Sequence, residues 1–255
     1  MDRQSVQGML ARHGISTSCL TQAQLCRFER YATLSKESIN GSCDTELLQI
    51  IVQAEGLASS TKERLDKKFA DSSEALTRVI SDMSKTTQTK ESVFDSLLSS
   101  FAKTDTENDK HAKTLEFADK MLALAEKRRP LAKLSEDISE VMMSLGQNEE
   151  ILRILSEAKL VETALSEFCG ESEWHVRAKN AILKIEELQG SIDKWKKLLD
   201  ILLRVDAEVS KFCTDAAKSL EASNKGAASY TSLNADFERF ARVMWEEGSK
   251  ITHID

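Results

Sequence analysis

The residues that could do chemistry are few and scattered. His13, His111, His175 and His253 lie far apart, and none belongs to an HExxH word, whose two histidines four positions apart let one helix face hold a metal. Cys19, Cys26, Cys43, Cys169 and Cys213 are odd in number and form no CxxC pair, so neither a zinc site nor a disulfide framework is expected and the thiols read as reduced. The sequence contains no GxxxxGK[ST] phosphate loop, no GxGxxG turn and no GxSxG elbow. It also lacks the repeated ExxH words with which a helical bundle builds a carboxylate metal centre. The expectation is a protein that is not an enzyme, with no catalytic residues, no cofactor, no metal and no small-molecule substrate.

What the polar residues do offer is local charge. The clearest cluster is the stretch LALAEKRRPLAKL, where Lys127, Arg128 and Arg129 precede Pro130, the single proline of the chain. Further cations gather at Lys62, Arg64, Lys67 and Lys68, and at Lys194, Lys196 and Lys197. Each group sits among acids on a helical pattern, so a solvated face with i, i+4 pairing accounts for it. The alternative use is contact with a partner or a membrane through Lys85, Lys127, Arg128, Arg129, Lys194, Lys196 and Lys197. A net charge of -7 argues against nucleic acid, because phosphate binding needs a concentrated positive surface.

The elements that must carry these residues are helices. One proline, nine glycines and 5% aromatic residues give too little punctuation for sheets, while 41% hydrophobic and 30% charged residues suit helices sharing apolar seams. The fold class expected is all-α: long antiparallel helices in an elongated coiled-coil-like bundle, with a small N-terminal helical segment. Residues 1–43 read as that head, with a short helix stopped at His13-Gly14 and a second opened by Thr21 as N-cap and ended near Asn40-Gly41. Residues 44–255 read as the bundle, with turns near 103–108, 145–148, 169–172 and 223–227. Asp44 caps its first helix, which carries Leu47, Ile51, Ala54, Leu65, Phe69, Leu76, Val79 and Met83 and weakens over residues 84–92.

The next helix carries Phe117, Met121, Leu124, Leu131, Ile138, Met142 and Leu145, in a phase that runs through Pro130. A helix beginning afresh there would want a capping residue, and Arg129 is not one, so a kink at Pro130 is expected rather than an end. Ile151 to Phe168 is apolar on a wide face that includes Leu152 and Leu155, as in a helix covered on more than one side. From Trp174 two heptad series follow: Ala178, Ile185, Ile192, Leu199, Asp206, Cys213 and Leu220, with Trp174, Ala181, Leu188, Trp195, Leu202, Val209 and Ala216. Such a period keeps one stripe against a neighbouring helix over a rod reaching on the order of 75 Å. Asp206 is the polar exception in the seam and is expected to meet a cation or to mark an opening. A last helix carries Tyr230, Leu233, Phe237, Phe240 and Met244.

Helices of comparable length joined at 103–108 and 169–172, a proline kink in the second, and the words NADFERF resemble BAR domains of the sorting-nexin type. That resemblance implies a curved dimer binding anionic membranes through basic residues. From the residues themselves, the leading expectation is a non-enzymatic scaffold or adaptor subunit that binds protein partners through coiled-coil helix faces. It would do so as a homodimer or within a hetero-oligomeric complex, with Leu152, Leu155, Trp174, Trp195, Phe237 and Phe240 as helix-face contacts. The N-terminus lacks the apolar run of a signal peptide, and charge interrupts every apolar stretch short of the roughly 20 residues that cross a bilayer. A cytoplasmic location is therefore expected, with the periphery of a membrane or the cytoskeleton as alternatives.

Overall fold

The computed structural model describes residues 3–38, 43–88, 107–146, 149–170, 172–224 and 230–254. These form seven α-helices and a short 3-10 turn, with no strand among the described residues. The helices are α1 (Arg3–Arg12), α2 (Gln22–Glu37), α3 (Thr45–Gln88), α4 (Glu107–Gly146), α5 (Glu149–Phe168), α6 (Glu173–Asn224) and α7 (Tyr230–Ile251). The expected joints at 103–108 and 223–227, and the weak stretch beyond Gln88, fall mostly or wholly outside the described residues.

Helix ends follow local chemistry. Thr21 accepts a hydrogen bond from the Gln24 N–H while the Gln24 side chain accepts one from the Thr21 N–H, so two otherwise orphaned donors at the start of α2 are satisfied. Asp44 Oδ1 accepts from the Glu46 N–H at 2.8 Å ahead of α3, and Ser172 Oγ accepts from the His175 N–H at 3.2 Å ahead of α6. Past the ends of α1 and α5, Gly14 and Gly170 adopt φ of 69° and 54°, a left-handed conformation that costs glycine no Cβ clash.

The chain folds as two compact units. Unit 1 comprises Met1–Lys67 and Ser144–Asp193, and unit 2 comprises Lys68–Met143 and Lys194–Asp255. In unit 1 the expected N-terminal head shares its core with later helices. Val6 and Leu10 of α1 and Phe28 and Tyr31 of α2 are buried together with Leu47 and Ile51 of α3, Val161 and Leu165 of α5, and Ala178 of α6. The helices α2 and α5 are parallel neighbours: Gln24 bonds Ser156, Arg27 bonds Glu157, and Lys36 lies over the Phe168 ring. Arg12 adds a bidentate ion pair to Glu167.

The α3–α6 pair also runs parallel. In unit 1, Glu55 pairs with Lys184, Lys62 with Glu187, and Ser191 donates to Asp66, positions that rise together along both helices. The reason is topological: α4 returns the chain to unit 1 at Ser144, so α6 starts in the same unit as α3 did.

In unit 2 the buried side chains include Leu76, Ile80 and Met83 of α3, Leu124, Leu131, Leu134 and Ile138 of α4, and Phe240 and Met244 of α7. The helix α4 runs through Pro130 without ending. Pro130 is exposed, and so is Glu126, whose carbonyl loses its helical partner to the proline. Water can satisfy that carbonyl, which is how a helix tolerates an internal proline.

The seam of α6 corrects the expected register. The series Ala181, Leu188, Trp195, Leu202, Val209 and Ala216 is buried throughout. Its companion is Ser191, Leu198, Val205 and Phe212, also buried, whereas Ile185, Ile192, Leu199, Asp206 and Cys213 are half-buried. From Ser191 onward the second series is thus displaced by one residue and the expected one lies along its flank, while nearer the start of α6 the expected Ala178 is buried, as in helices whose apolar stripe is wider than a strict two-position seam. Asp206 is not in the seam. The polar member of the true seam is Ser191, satisfied by its 2.7 Å bond to Asp66.

Candidate interaction surfaces

The cation cluster of α4 is partly used up by ion pairs. Arg128 donates from Nε to Asp206 Oδ1 at 2.6 Å and from Nη2 to Oδ2 at 3.0 Å, a bidentate bridge between α4 and α6. That hydrogen bond holds the Asp206 carboxyl below, and the Arg128 guanidinium above, its ordinary pKa. Asp206 thus meets a cation, one of its two expected fates, from the edge of the seam. Lys127 lies 3.7 Å from Asp82 of α3, and Lys85 stands one turn further along α3, exposed. Arg129 and Lys133 are exposed.

Beside the Arg128–Asp206 bridge a groove of about 600 Å³ opens between α4 and α6. Its apolar floor includes Leu131 and Leu202, and its α4 wall is built from Ala125, Arg129, Ala132, Glu136 and Ser139. Leu203, 51% exposed, stands on the α6 wall. Leu122 and Met143 of α4 are 62% and 59% exposed, so unit 2 presents several large apolar side chains on the outer side of these two helices.

Unit 1 holds a second, smaller recess of about 360 Å³ between α2 and α5, lined by Thr21, Gln24, Arg27, Arg153, Ser156 and Leu152 among others. Glu157 is buried beneath it and accepts hydrogen bonds from both Arg27 and Arg153, which satisfies a charge that would otherwise be costly inside the protein. Burial, reinforced by the negative charge of Glu157 and Glu46, pushes the Tyr31 phenol up to about 12. The cluster is a satisfied polar network tying α2 to α5.

The remaining expected contacts divide. Trp195 is 1% exposed and meets Phe69 edge-on at 5.7 Å, and Phe240 is stacked on Phe212 at 4.6 Å, so both are interior and offer nothing to a partner. Trp174 and Leu155 are half-buried, Leu152 is exposed at the α2–α5 recess, and the side chain of Phe237 lies outside the described residues. Lys194 is half-buried, and Lys196 and Lys197 are exposed. At about 100° per residue Lys194 and Lys197, three positions apart, share one side of α6, and Lys196 is turned about 100° away from Lys197. Sequence reasoning missed Leu122, Met143, Leu203 and the 67% exposed Trp245, all of which fall off the buried phases of their helices.

His13 pairs with Glu167 and His175 with Glu162, linking α1 and α6 to α5. Burial pushes the Cys43, Cys169 and Cys213 thiols up, which keeps them protonated and poorly nucleophilic near neutral pH. Among the described residues no group of three His, Cys, Asp or Glu side chains is placed to hold a metal ion, and no helix is long and apolar enough to cross a membrane. No protein-family profile, no curated protein and no solved structure matches the chain.

Proposed function

We propose that this chain is a non-enzymatic helical scaffold or adaptor that holds a protein partner on the outer helix faces of unit 2. The observation that carries this reading is the exposure of Leu203 on the groove wall together with Leu122 and Met143 on the neighbouring helix. Large apolar groups held in water beside a preformed groove are favourable to bury, and a helix laid in such a groove buries them at three- and four-residue spacing. The test is capture of partners by the tagged full-length chain, followed by crosslinking through Lys127 and Lys133. The expected result is one protein held in fixed stoichiometry, crosslinked at these lysines and lost in the Leu203→Asp variant. Absence of any bound protein, including further copies of the chain itself, overturns the reading, as does binding that Leu203→Asp leaves intact.

The BAR-like alternative is favoured by Arg129 and Lys133, exposed one turn apart on α4. It draws no help from Arg128 or Lys127, whose charges face Asp206 and Asp82. Co-sedimentation with anionic phosphatidylserine vesicles tests it: salt-sensitive binding that falls in Arg129→Glu/Lys133→Glu supports the alternative, and its absence removes it.

A further inference from the structure

The exposed residues of α4 are not randomly placed. Leu122 and Met143, the large apolar side chains this helix exposes among the described residues, lie 21 positions apart, three full heptads. Between them, at alternating steps of three and four, stand Ala125, Arg129, Ala132, Glu136 and Ser139. All are exposed except the half-buried Ser139, and all five line the α4–α6 groove. A second heptad stripe therefore runs along α4 on its outer side, distinct from the buried series through Leu124, Leu131 and Ile138. Its order is large, small, charged, small, charged, small, large.

That order reads the same in both directions, apart from charge, which reverses. Deepening the scaffold reading and resting on it, we propose that the stripe is where two copies of this chain pair, antiparallel, about a two-fold axis near Ala132. In this register Arg129 faces the partner's Glu136 and Glu136 faces the partner's Arg129, while Leu122 and Met143 meet across both ends. Pairing the same stripe in parallel would set Arg129 against Arg129 and Glu136 against Glu136, so electrostatics selects the antiparallel arrangement. Arg129 and Glu136 do not satisfy each other within one copy: seven residues separate them by about 10.5 Å along the helix. Each is a charge awaiting a cross-helix neighbour, the use that charged positions serve in paired helices.

The small residues fit the same geometry. Ala132 at the axis, with Ala125 and Ser139 on either side, lets two helices approach closely, whereas Leu122 and Met143 fill the wider gaps at the ends. A two-fold interface must be complementary to itself, and this stripe meets that condition in size, spacing and charge.

Sedimentation equilibrium of the full-length chain tests the proposal. The wild type is expected to dimerise in the micromolar range, and Arg129→Glu or Glu136→Arg alone to weaken the dimer about tenfold or more by placing like charges opposite each other. The double variant Arg129→Glu/Glu136→Arg restores opposite charges and is expected to return to within about threefold of wild type. Both positions exchanged are on the surface, and circular dichroism checks that each variant retains its helices. A wild type that stays monomeric up to about 100 μM, or a double variant weaker than either single one, overturns the pairing. A monomer that still holds a different protein in the capture experiment overturns the pairing and leaves the scaffold reading standing; a monomer that holds nothing overturns both.

Discussion

Adjacent leucines on α6 give the sharpest test of its packing. Leu198 is fully buried and Leu199 is half-buried, although the heptad pattern read from sequence assigns the seam to Leu199. Truncating Leu198 to alanine removes buried side-chain atoms and leaves a cavity among fixed neighbours, a change that costs about 2–5 kcal/mol. Truncating Leu199 removes a side chain already partly in water, and water can enter the space it leaves, so the loss is limited to about 1 kcal/mol of transfer free energy. The expected gap is about 2 kcal/mol, or about 4–8 °C in melting temperature for a chain of this size. Urea unfolding followed by circular dichroism measures both variants, with an unchanged slope showing that the folded and unfolded states expose the same surface difference. Leu199→Ala costing as much as Leu198→Ala, or more, would refute the register described for α6.

Two further perturbations follow from single residues. Pro130→Ala restores the N–H that can bond the Glu126 carbonyl and removes the ring from the interior of α4, so it is expected to stabilise the chain by about 1–3 kcal/mol; a lower melting temperature would contradict that account. The Arg12 guanidinium, hydrogen-bonded to Glu167, holds that carboxyl below its ordinary 4.5. Because the folded pKa is depressed, this pair contributes stability that is present above the ordinary value and is lost as pH falls through the folded one. Arg12→Ala is expected to flatten the acid side of a plot of urea midpoint against pH between about pH 5 and pH 2, and a plot of unchanged slope would count against the pairing.

Much of the secondary structure was legible because its signals are local. Thr21, Asp44 and Ser172 cap helices where their side chains predict, Gly14 and Gly170 follow helix ends, and α4 passes through Pro130 because its apolar phase does not break there. The register of α6 was less legible for a simple reason. Leu198-Leu199 and Ile201-Leu202 place apolar residues side by side, and neighbours in sequence sit about 100° apart on a helix, so two heptad assignments fit the same apolar pattern. The neighbouring helices decide between them, and Asp206, out of character in one assignment, was the sequence's own sign that the other was correct.

Trp195 and Phe240 stand on apolar phases that already point inward, but periodicity does not say whether a helix of this chain or a partner covers such a face. The outer stripe of α4 escaped notice because it holds few large apolar residues. Leu122 and Met143 lie off the main phase, and the alanines between them are as compatible with an ordinary solvated helix. The parallel course of α3 and α6 is a property of chain topology, on which apolar spacing is silent.

The central claim is that helices distant in sequence share seams within each unit, with α3 and α6 running in the same direction in unit 1. Zero-length carbodiimide crosslinking of the unmodified chain, read by peptide mass spectrometry, tests it directly, because the reagent joins a lysine only to a carboxylate it touches. The account predicts links between Lys184 and Glu55, Lys62 and Glu187, and Lys127 and Asp82. Links that fall in the opposite order along the two helices of unit 1, such as Lys179 to Asp66, in place of these pairs, would contradict it.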